Sequence, residues 1–141
     1  ADGRHLQATA MRFPKATTVQ IILSENFTEN FQIDGQTFFV LMTHNYRYDL
    51  DVLKQLLEKE ARYIGVLGPK TKLERMFDDL ENDGFKVTEI HKEKIFGPVG
   101  LDIGAETSEE IALSVISEIK AVLEGKKGTF LKFKTEKIHE N

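Results

Sequence analysis

Three short apolar segments constrain most strongly which fold this chain can adopt. In none of them do apolar and polar residues alternate throughout. They are residues 18–23 (TVQIIL), 37–43 (TFFVLMT) and 63–67 (YIGVL), and they are rich in β-branched and aromatic residues. Such runs are typical of strands that are buried on both faces, as in a parallel sheet covered by helices. The pattern therefore predicts three buried strands.

Amphipathic segments follow the second and third strands. Leucines recur at helical spacing over residues 49–60, and Asp49 is the expected N-cap of this helix. A second helix is expected to open at Gly68, with Pro69 at the first helical position, and to close at Gly84. The order of these elements is strand, helix, strand, helix.

The third predicted helix has the clearest start and stop signals. Thr107 and Glu110 form a capping-box pattern, an apolar face follows them, and Gly125 is the expected stop. Apolar strands separated by amphipathic helices indicate an α/β fold with a doubly wound parallel sheet. No repeat or linker divides the chain, which predicts one domain.

Composition excludes several functional classes. The chain has 141 residues and no cysteine, so disulfides, thiolate metal sites and cysteine nucleophiles are excluded within it. A formal net charge of −4 argues against a nucleic-acid surface. Apolar runs far shorter than a membrane span, and an N-terminus unlike a secretion signal, predict a cytoplasmic protein without membrane contact.

The loop after the second strand is the first candidate site. Ligands of open α/β sheets bind beyond the carboxyl ends of the strands, and Thr43 and His44 occupy such an end. The imidazole of His44 could donate a hydrogen bond, transfer a proton or hold a metal. A histidine that only ties down its own loop explains the pattern equally well.

The strand-to-helix turn at Gly68 is the second candidate. Backbone N–H groups at a helix start attract anions, and Lys70 and Lys72 would add positive charge. The segment lacks the glycine spacing of a Walker A loop. A tight turn followed by a solvated basic helix face is the competing interpretation.

The third candidate is a glycine-bracketed aspartate. Gly100 and Gly104 would let the backbone approach a ligand closely, and Asp102 could accept hydrogen bonds from hydroxyls or act as a metal ligand. The alternative is a structural loop that leads into the capped helix. If all three loops follow strands of one parallel sheet, they are expected to converge on one crevice.

Three longer phrases together resemble a known family. THNYRYDLDVL (43–53), ARYIGVLGPKTK (61–72) and PVGLDIGAETSEEIALSVISEI (98–119) are similar, in this order and spacing, to the C-terminal Rossmann domain of the XdhC/CoxI family, accessory proteins for molybdenum hydroxylases. The resemblance extends to about Gly128 and implies a domain over residues 1–128. Residues 129–141 then form a tail in which aromatic residues alternate with lysines, either a guarded edge strand or a loosely docked extension.

The resemblance also implies a role for the N-terminus. Asp2 would take the position that binds a ribose hydroxyl, with Arg4 beside it. A domain of this family would begin with a strand and a Gly-rich turn ahead of Asp2. We therefore expect either a fragment of a longer polypeptide or a sheet completed by another piece, such as a second copy of the chain in a homo-oligomer.

For function, the resemblance implies a maturation factor that binds the molybdenum cofactor and delivers it to xanthine dehydrogenase or a related molybdenum hydroxylase. It favours a cofactor-binding chaperone over a catalyst, with no catalytic residue and no metal ligand assigned. The ligand, molybdopterin or a nucleotide, is expected at Asp2, Arg4, Thr43, His44, Gly68, Lys70, Lys72, Gly100, Asp102 and Gly104. Two alternatives stay open: an NAD(P)-dependent oxidoreductase with His44 as proton donor, and a structural dimerisation domain.

Overall fold

The computed structural model describes residues 1–135 and residue 137, and it contains two compact units, residues 1–98 and the described residues from 99 onward. The first unit contains 3₁₀ turns at Ser24–Asn26 and Thr28–Asn30, then β1 (Phe38–Leu41), α1 (Tyr46–Leu57), β2 (Tyr63–Val66), α2 (Lys70–Asn82), α3 (Glu89–Glu93) and β3 (Ile95–Phe96). The second contains α4 (Ser108–Leu123) and a 3₁₀ turn at Leu131–Phe133.

The sheet is parallel, with the order β1-β2-β3. Phe38 pairs with Tyr63 at one side of β2, and Ile64 pairs with Ile95 at the other. All four residues of the central strand are buried, as the unbroken apolar run predicts. The α/β class and the Rossmann-like open sheet are confirmed, and the carboxyl ends of the three strands share one edge.

The core of the first unit forms where α1 and α2 pack against this sheet. The apolar face of α1 is almost inaccessible to solvent, and it joins one cluster with the buried residues of α2 and the strands. The buried residues that the two helices contribute include Leu50, Leu53, Leu56, Leu57, Leu73, Met76 and Leu80. Both helices therefore lie where the leucine periodicity predicts them.

The predicted buried strand at residues 18–23 is wrong. Its pairing consists of a single parallel bridge between Asp2 and Ile21, and only Ile22 of the segment is buried. A second contact comes from a side chain, because the hydroxyl of Tyr48 donates to the carbonyl oxygen of Ile22 at 2.8 Å. The strand propensity of these residues is not sufficient for a buried strand, because a strand also needs a neighbouring strand with which to form backbone hydrogen bonds.

Two predicted helix starts also need correction. Helix α1 begins three residues earlier than expected and is capped by Asn45, whose side chain accepts from the backbone N–H of Tyr48. Asp49 is therefore inside the helix and is fully buried. In α2, Pro69 is the N-cap rather than the first helical residue, while Gly84 ends the helix with a left-handed φ of 80°, as predicted.

The far edge of β1 pairs with no strand among the described residues, since β1 is hydrogen-bonded only to β2. A neighbouring strand at that edge stays a prediction.

In the second unit, the capping box of Thr107 and Glu110 at the start of α4 is confirmed. The described part of the expected tail contains the 3₁₀ turn with exposed phenyl rings and no strand, and residues 136 and 138–141 lie outside the described residues.

We expect the Tyr48→Phe variant to lose about 1–2 kcal/mol of unfolding free energy, because the carbonyl of Ile22 loses its donor. Burial, with the charges of Asp2 and Asp49 nearby, raises the pKa of Tyr48 from 10.0 to about 12. The neutral phenol therefore stabilises the folded chain fully below about pH 10, and this contribution disappears as the pH rises to about 12.

Urea denaturation of both proteins at several pH values between 8 and 12 checks this prediction. The difference in unfolding free energy between wild type and Tyr48→Phe should narrow above about pH 10, because phenylalanine does not titrate. A difference that stays constant across the range would contradict the link between the phenol and folding.

Candidate functional site

A cavity of about 500 Å³ opens in the first unit between the N-terminal segment and the carboxyl end of β1. Its lining includes Asp2, Arg4, Arg12, Phe13, Thr43 and His44. This volume lies within the range of about 300–1,000 Å³ that small-molecule sites occupy. Four predicted site residues, Asp2, Arg4, Thr43 and His44, are therefore brought together.

A bidentate ion pair forms one wall of the cavity. The Nε and Nη2 atoms of Arg4 lie 3.0 and 2.9 Å from the two carboxylate oxygens of Asp2, and Arg4 also donates to the backbone carbonyl of Thr43. The hydrogen bond from Arg4 lowers the pKa of Asp2, so its carboxylate is ionised at neutral pH. Arg4 thus joins the N-terminal segment to the end of β1.

Arg12 supplies a second cation to the same cavity. Its guanidinium donates to the side-chain oxygen of Gln7, which is neutral, and within residues 1–135 it forms no ion pair. Its positive charge is therefore not balanced by a carboxylate, unlike that of Arg4. A guanidinium in this situation is suited to bind an anionic group of a ligand.

His44 lies at the rim of the cavity in an unusual backbone conformation. Its φ of 58° is in the left-handed region, which a residue other than glycine rarely adopts. Such a conformation costs on the order of 1–3 kcal/mol and persists only where surrounding contacts enforce it. The side chain of His44 is exposed, which leaves its imidazole accessible to a ligand.

A buried ion pair lies behind this rim. The Nζ of Lys72 is 3.0 Å from a carboxylate oxygen of Asp49, whose side chain has no solvent exposure, and it also donates to the carbonyl of Leu67 at 3.0 Å. The hydroxyl of Thr43 donates to the other carboxylate oxygen of Asp49 at 2.7 Å. The ammonium of Lys72, predicted as a ligand contact, is thus engaged with protein oxygens.

The other residues of the Gly68 turn lie outside the cavity lining. Gly68 has a φ of 131°, and a β-carbon at this position would come within 2.9 Å of Cδ of Lys72. Lys70 is exposed and forms a loose ion pair of 3.8 Å with Glu74. Their contact with a ligand stays a prediction.

The third predicted loop belongs to the second unit. The N–H of Gly100 donates to Glu118 at 3.0 Å, and the hydroxyl of Ser114 donates to the carbonyl of Leu101 at 2.6 Å, so this loop is tied to α4. Asp102 and Gly104 are exposed. Their convergence with His44 and Gly68 stays a prediction, although β3 does precede this loop, as that prediction requires.

Sequence reasoning misses one residue of the site and misassigns another. Arg12 stands in the phrase Arg12-Phe13-Pro14, in which nothing marks a ligand contact. Asp49 has the pattern of a cap, but it lies four residues before Leu53 on the buried face of α1. A carboxylate on a leucine-rich helix face is a signal that could have identified it, because buried carboxylates require a partner.

Two kinds of feature are absent from the residues that the structure describes. Within them, no three histidine, aspartate or glutamate side chains are grouped to hold a metal ion. No helix in the same part of the chain has the length and apolar character needed to cross a bilayer.

Comparison with known proteins identifies the fold family. A family model for the XdhC Rossmann domain matches residues 1–119. The chain belongs to this family. A probable xanthine dehydrogenase subunit of Bacillus subtilis (strain 168) is 34% identical over 118 residues, which are 84% of this chain and 33% of that protein. The uncharacterized protein YqeB of Escherichia coli (strain K12) is also 34% identical, over 78% of this chain and 20% of its own length.

A solved structure supports the same assignment. A crystal structure of a xanthine dehydrogenase from Bacillus halodurans matches 89% of this chain with a TM-score of 0.73 and 33% sequence identity. The match covers 35% of that chain, so this XdhC Rossmann domain corresponds to about a third of the solved protein. The resemblance to the XdhC/CoxI family is confirmed, with its Rossmann-like fold.

We expect the Gly68→Ala variant to lose roughly 1–3 kcal/mol of unfolding free energy, because the new β-carbon adds left-handed strain and displaces Lys72. Gly35→Ala is the matched control, since no atom lies within 4 Å of its β-carbon position and no left-handed φ is involved. Chemical denaturation measures both variants. Equal stability of the two would show that the Gly68 turn imposes no such requirement.

Proposed function

We propose that this XdhC Rossmann domain binds the molybdenum cofactor as part of an accessory factor that assists its insertion into a xanthine dehydrogenase or a related molybdenum hydroxylase. The cofactor is cargo in this proposal, not a resident group. The observation that carries the proposal is the cavity at the carboxyl end of β1, which combines Arg4, Arg12 and Asp2. The names of the Bacillus relatives support a dehydrogenase as the client.

The chemistry of the lining fits such a ligand. Molybdopterin bears a phosphate, which guanidinium groups bind well through charge-assisted hydrogen bonds, and Arg12 has no competing carboxylate in the described part of the chain. Its pterin ring carries N–H donors, for which the ionised carboxylate of Asp2 is an acceptor. Phe13 adds an aromatic surface to the same lining. The domain would thus supply binding rather than bond-breaking chemistry.

One observation favours a second candidate, an NAD(P)-binding oxidoreductase. Asp2 forms a parallel bridge with Ile21 and is one of the residues that line the cavity. A carboxylate at the end of a parallel strand is the group that binds ribose hydroxyls in dinucleotide sites. His44, at the rim, would then be the proton donor.

Anaerobic titration of the protein with molybdopterin, and separately with NADPH, tests the proposal. We expect micromolar or tighter binding of molybdopterin and a roughly 10- to 100-fold loss of affinity in Arg12→Gln, the range for a lost charge-assisted hydrogen bond. Arg47→Gln is the matched control, because Arg47 pairs with Asp51 on the exposed side of α1 and does not line the cavity.

The pattern of binding decides between the candidates. NADPH binding that depends on Asp2, without molybdopterin binding, would favour the oxidoreductase. Equal affinity of wild type and Arg12→Gln for molybdopterin would show that the cavity is not the binding site.

Lys70 and His44 provide two finer tests of the same site. Lys70→Ala should weaken phosphate binding by about 1–3 kcal/mol if the start of α2 also contacts the ligand. His44→Asn removes the imidazole with a residue that tolerates the left-handed conformation, so any loss of affinity reports the ring and not the loop. Unchanged affinity in both variants would restrict the site to Asp2, Arg4 and Arg12.

A further inference from the structure

The buried pair of Asp49 and Lys72 links the two loops that follow β1 and β2. Asp49 accepts from the hydroxyl of Thr43, in the loop after β1. Lys72 donates to the carbonyl of Leu67, in the loop after β2. One ion pair thus contacts both loops from below the carboxyl edge of the sheet.

These contacts continue to the cavity wall. Thr43 uses its hydroxyl for Asp49, while its backbone carbonyl accepts from Arg4. Arg4 in turn holds the carboxylate of Asp2. Three consecutive contacts therefore connect the buried carboxylate of Asp49 to the carboxylate of Asp2, a residue of the cavity lining.

The physical cost of this arrangement suggests a role other than stability. Removing a carboxylate and an ammonium from water is expensive, and apolar residues of similar size in such positions are often as stabilising or more so. The side chain of Asp49 has no exposure and that of Lys72 has 19%. A buried ion pair is weak evidence for stabilisation. The contacts of this pair do reach both loops, through Thr43 and through Leu67.

We propose that Asp49 and Lys72 are positioning residues that hold the 43–45 loop, and through it Arg4 and Asp2, in the arrangement that forms the cavity. The same pair enforces the left-handed backbone at His44, because the hydroxyl of Thr43 that bonds Asp49 also accepts from the N–H of Asn45 at 3.2 Å. This inference rests on the proposed function only for what the cavity binds. Lys72 then acts through Asp49 and not as a ligand contact.

Four variants of the full chain separate positioning from stability. Asp49→Asn alone leaves the partly buried ammonium of Lys72 without its counter-charge, and we expect the melting temperature of this variant to fall by roughly 10 °C or more. The apolar double variant Asp49→Leu with Lys72→Met leaves no charge unpaired, so its melting temperature should return to within about 5 °C of wild type. Thr43→Val removes both the link to Asp49 and the acceptor of the Asn45 N–H, so it is the reference for a fully released loop. Arg47→Gln breaks a solvent-accessible ion pair on the same helix and is the control.

Amide hydrogen exchange in the ligand-free protein is the deciding measurement. We expect exchange at residues 43–45 to accelerate about tenfold or more in the double variant and in Thr43→Val, with β2 as protected as in wild type. The NMR signals of the His44 ring should shift in both variants and not in Arg47→Gln. Wild-type exchange and an unshifted His44 ring in the double variant would overturn the proposal, as would a loss of protection that includes β2.

Binding of molybdopterin and of NADPH is measured on the same variants. These data separate a failure of the positioning role from a failure of the proposed function. If wild type binds one of the two probes, the double variant should bind it at least tenfold more weakly despite its restored stability, and equal affinity would count against positioning. If wild type binds neither probe, the proposed function fails. The exchange and ring-shift data still decide whether Asp49 and Lys72 position the loop.

Discussion

The complete burial of the central strand β2 is the constraint on which the rest of the first unit depends. Tyr63, Ile64 and Val66 have almost no exposure, so both faces of the sheet must be covered and both edges of β2 must be paired. The leucine face of α1 and the apolar face of α2 provide part of that cover. Since all strands run parallel, their carboxyl ends meet at one edge, and the loops after β1 and β2 are joined there through Asp49 and Lys72.

Polar contacts at that edge join the N-terminal segment and the loops after β1 and β2. Arg4 spans from Asp2 to the end of β1, and the pair of Asp49 and Lys72 spans from β1 to β2. Asp49, whose side chain has no exposure, is satisfied by Lys72 and Thr43, which keeps the burial of its charge tolerable. Two arginines line the cavity. The charge of Arg4 is paired with the carboxylate of Asp2, whereas the guanidinium of Arg12 donates to the neutral amide of Gln7. This difference is the basis for expecting an anionic ligand there.

The sequence predicts elements well where periodicity and end signals agree. The capping box of Thr107 and Glu110 is found at the start of α4, and Gly84 closes α2. Prediction failed at residues 18–23, because apolar and β-branched composition does not reveal whether a neighbouring strand is present to pair with. It failed again at Asp49, where capping by Asn45 leaves the carboxylate free to turn inward toward a lysine that is distant in sequence.

By itself, the sequence determined the α/β class, the presence of α1, α2 and α4, and the family, because these depend on local periodicity and on motifs that are contiguous in the chain. Only the tertiary structure decided which candidate residues meet. It joined Asp2 and Arg4 to Thr43 and His44, and it turned Lys72 toward Asp49. Such contacts between distant residues are set by strand order and packing, and no single segment of the sequence encodes them.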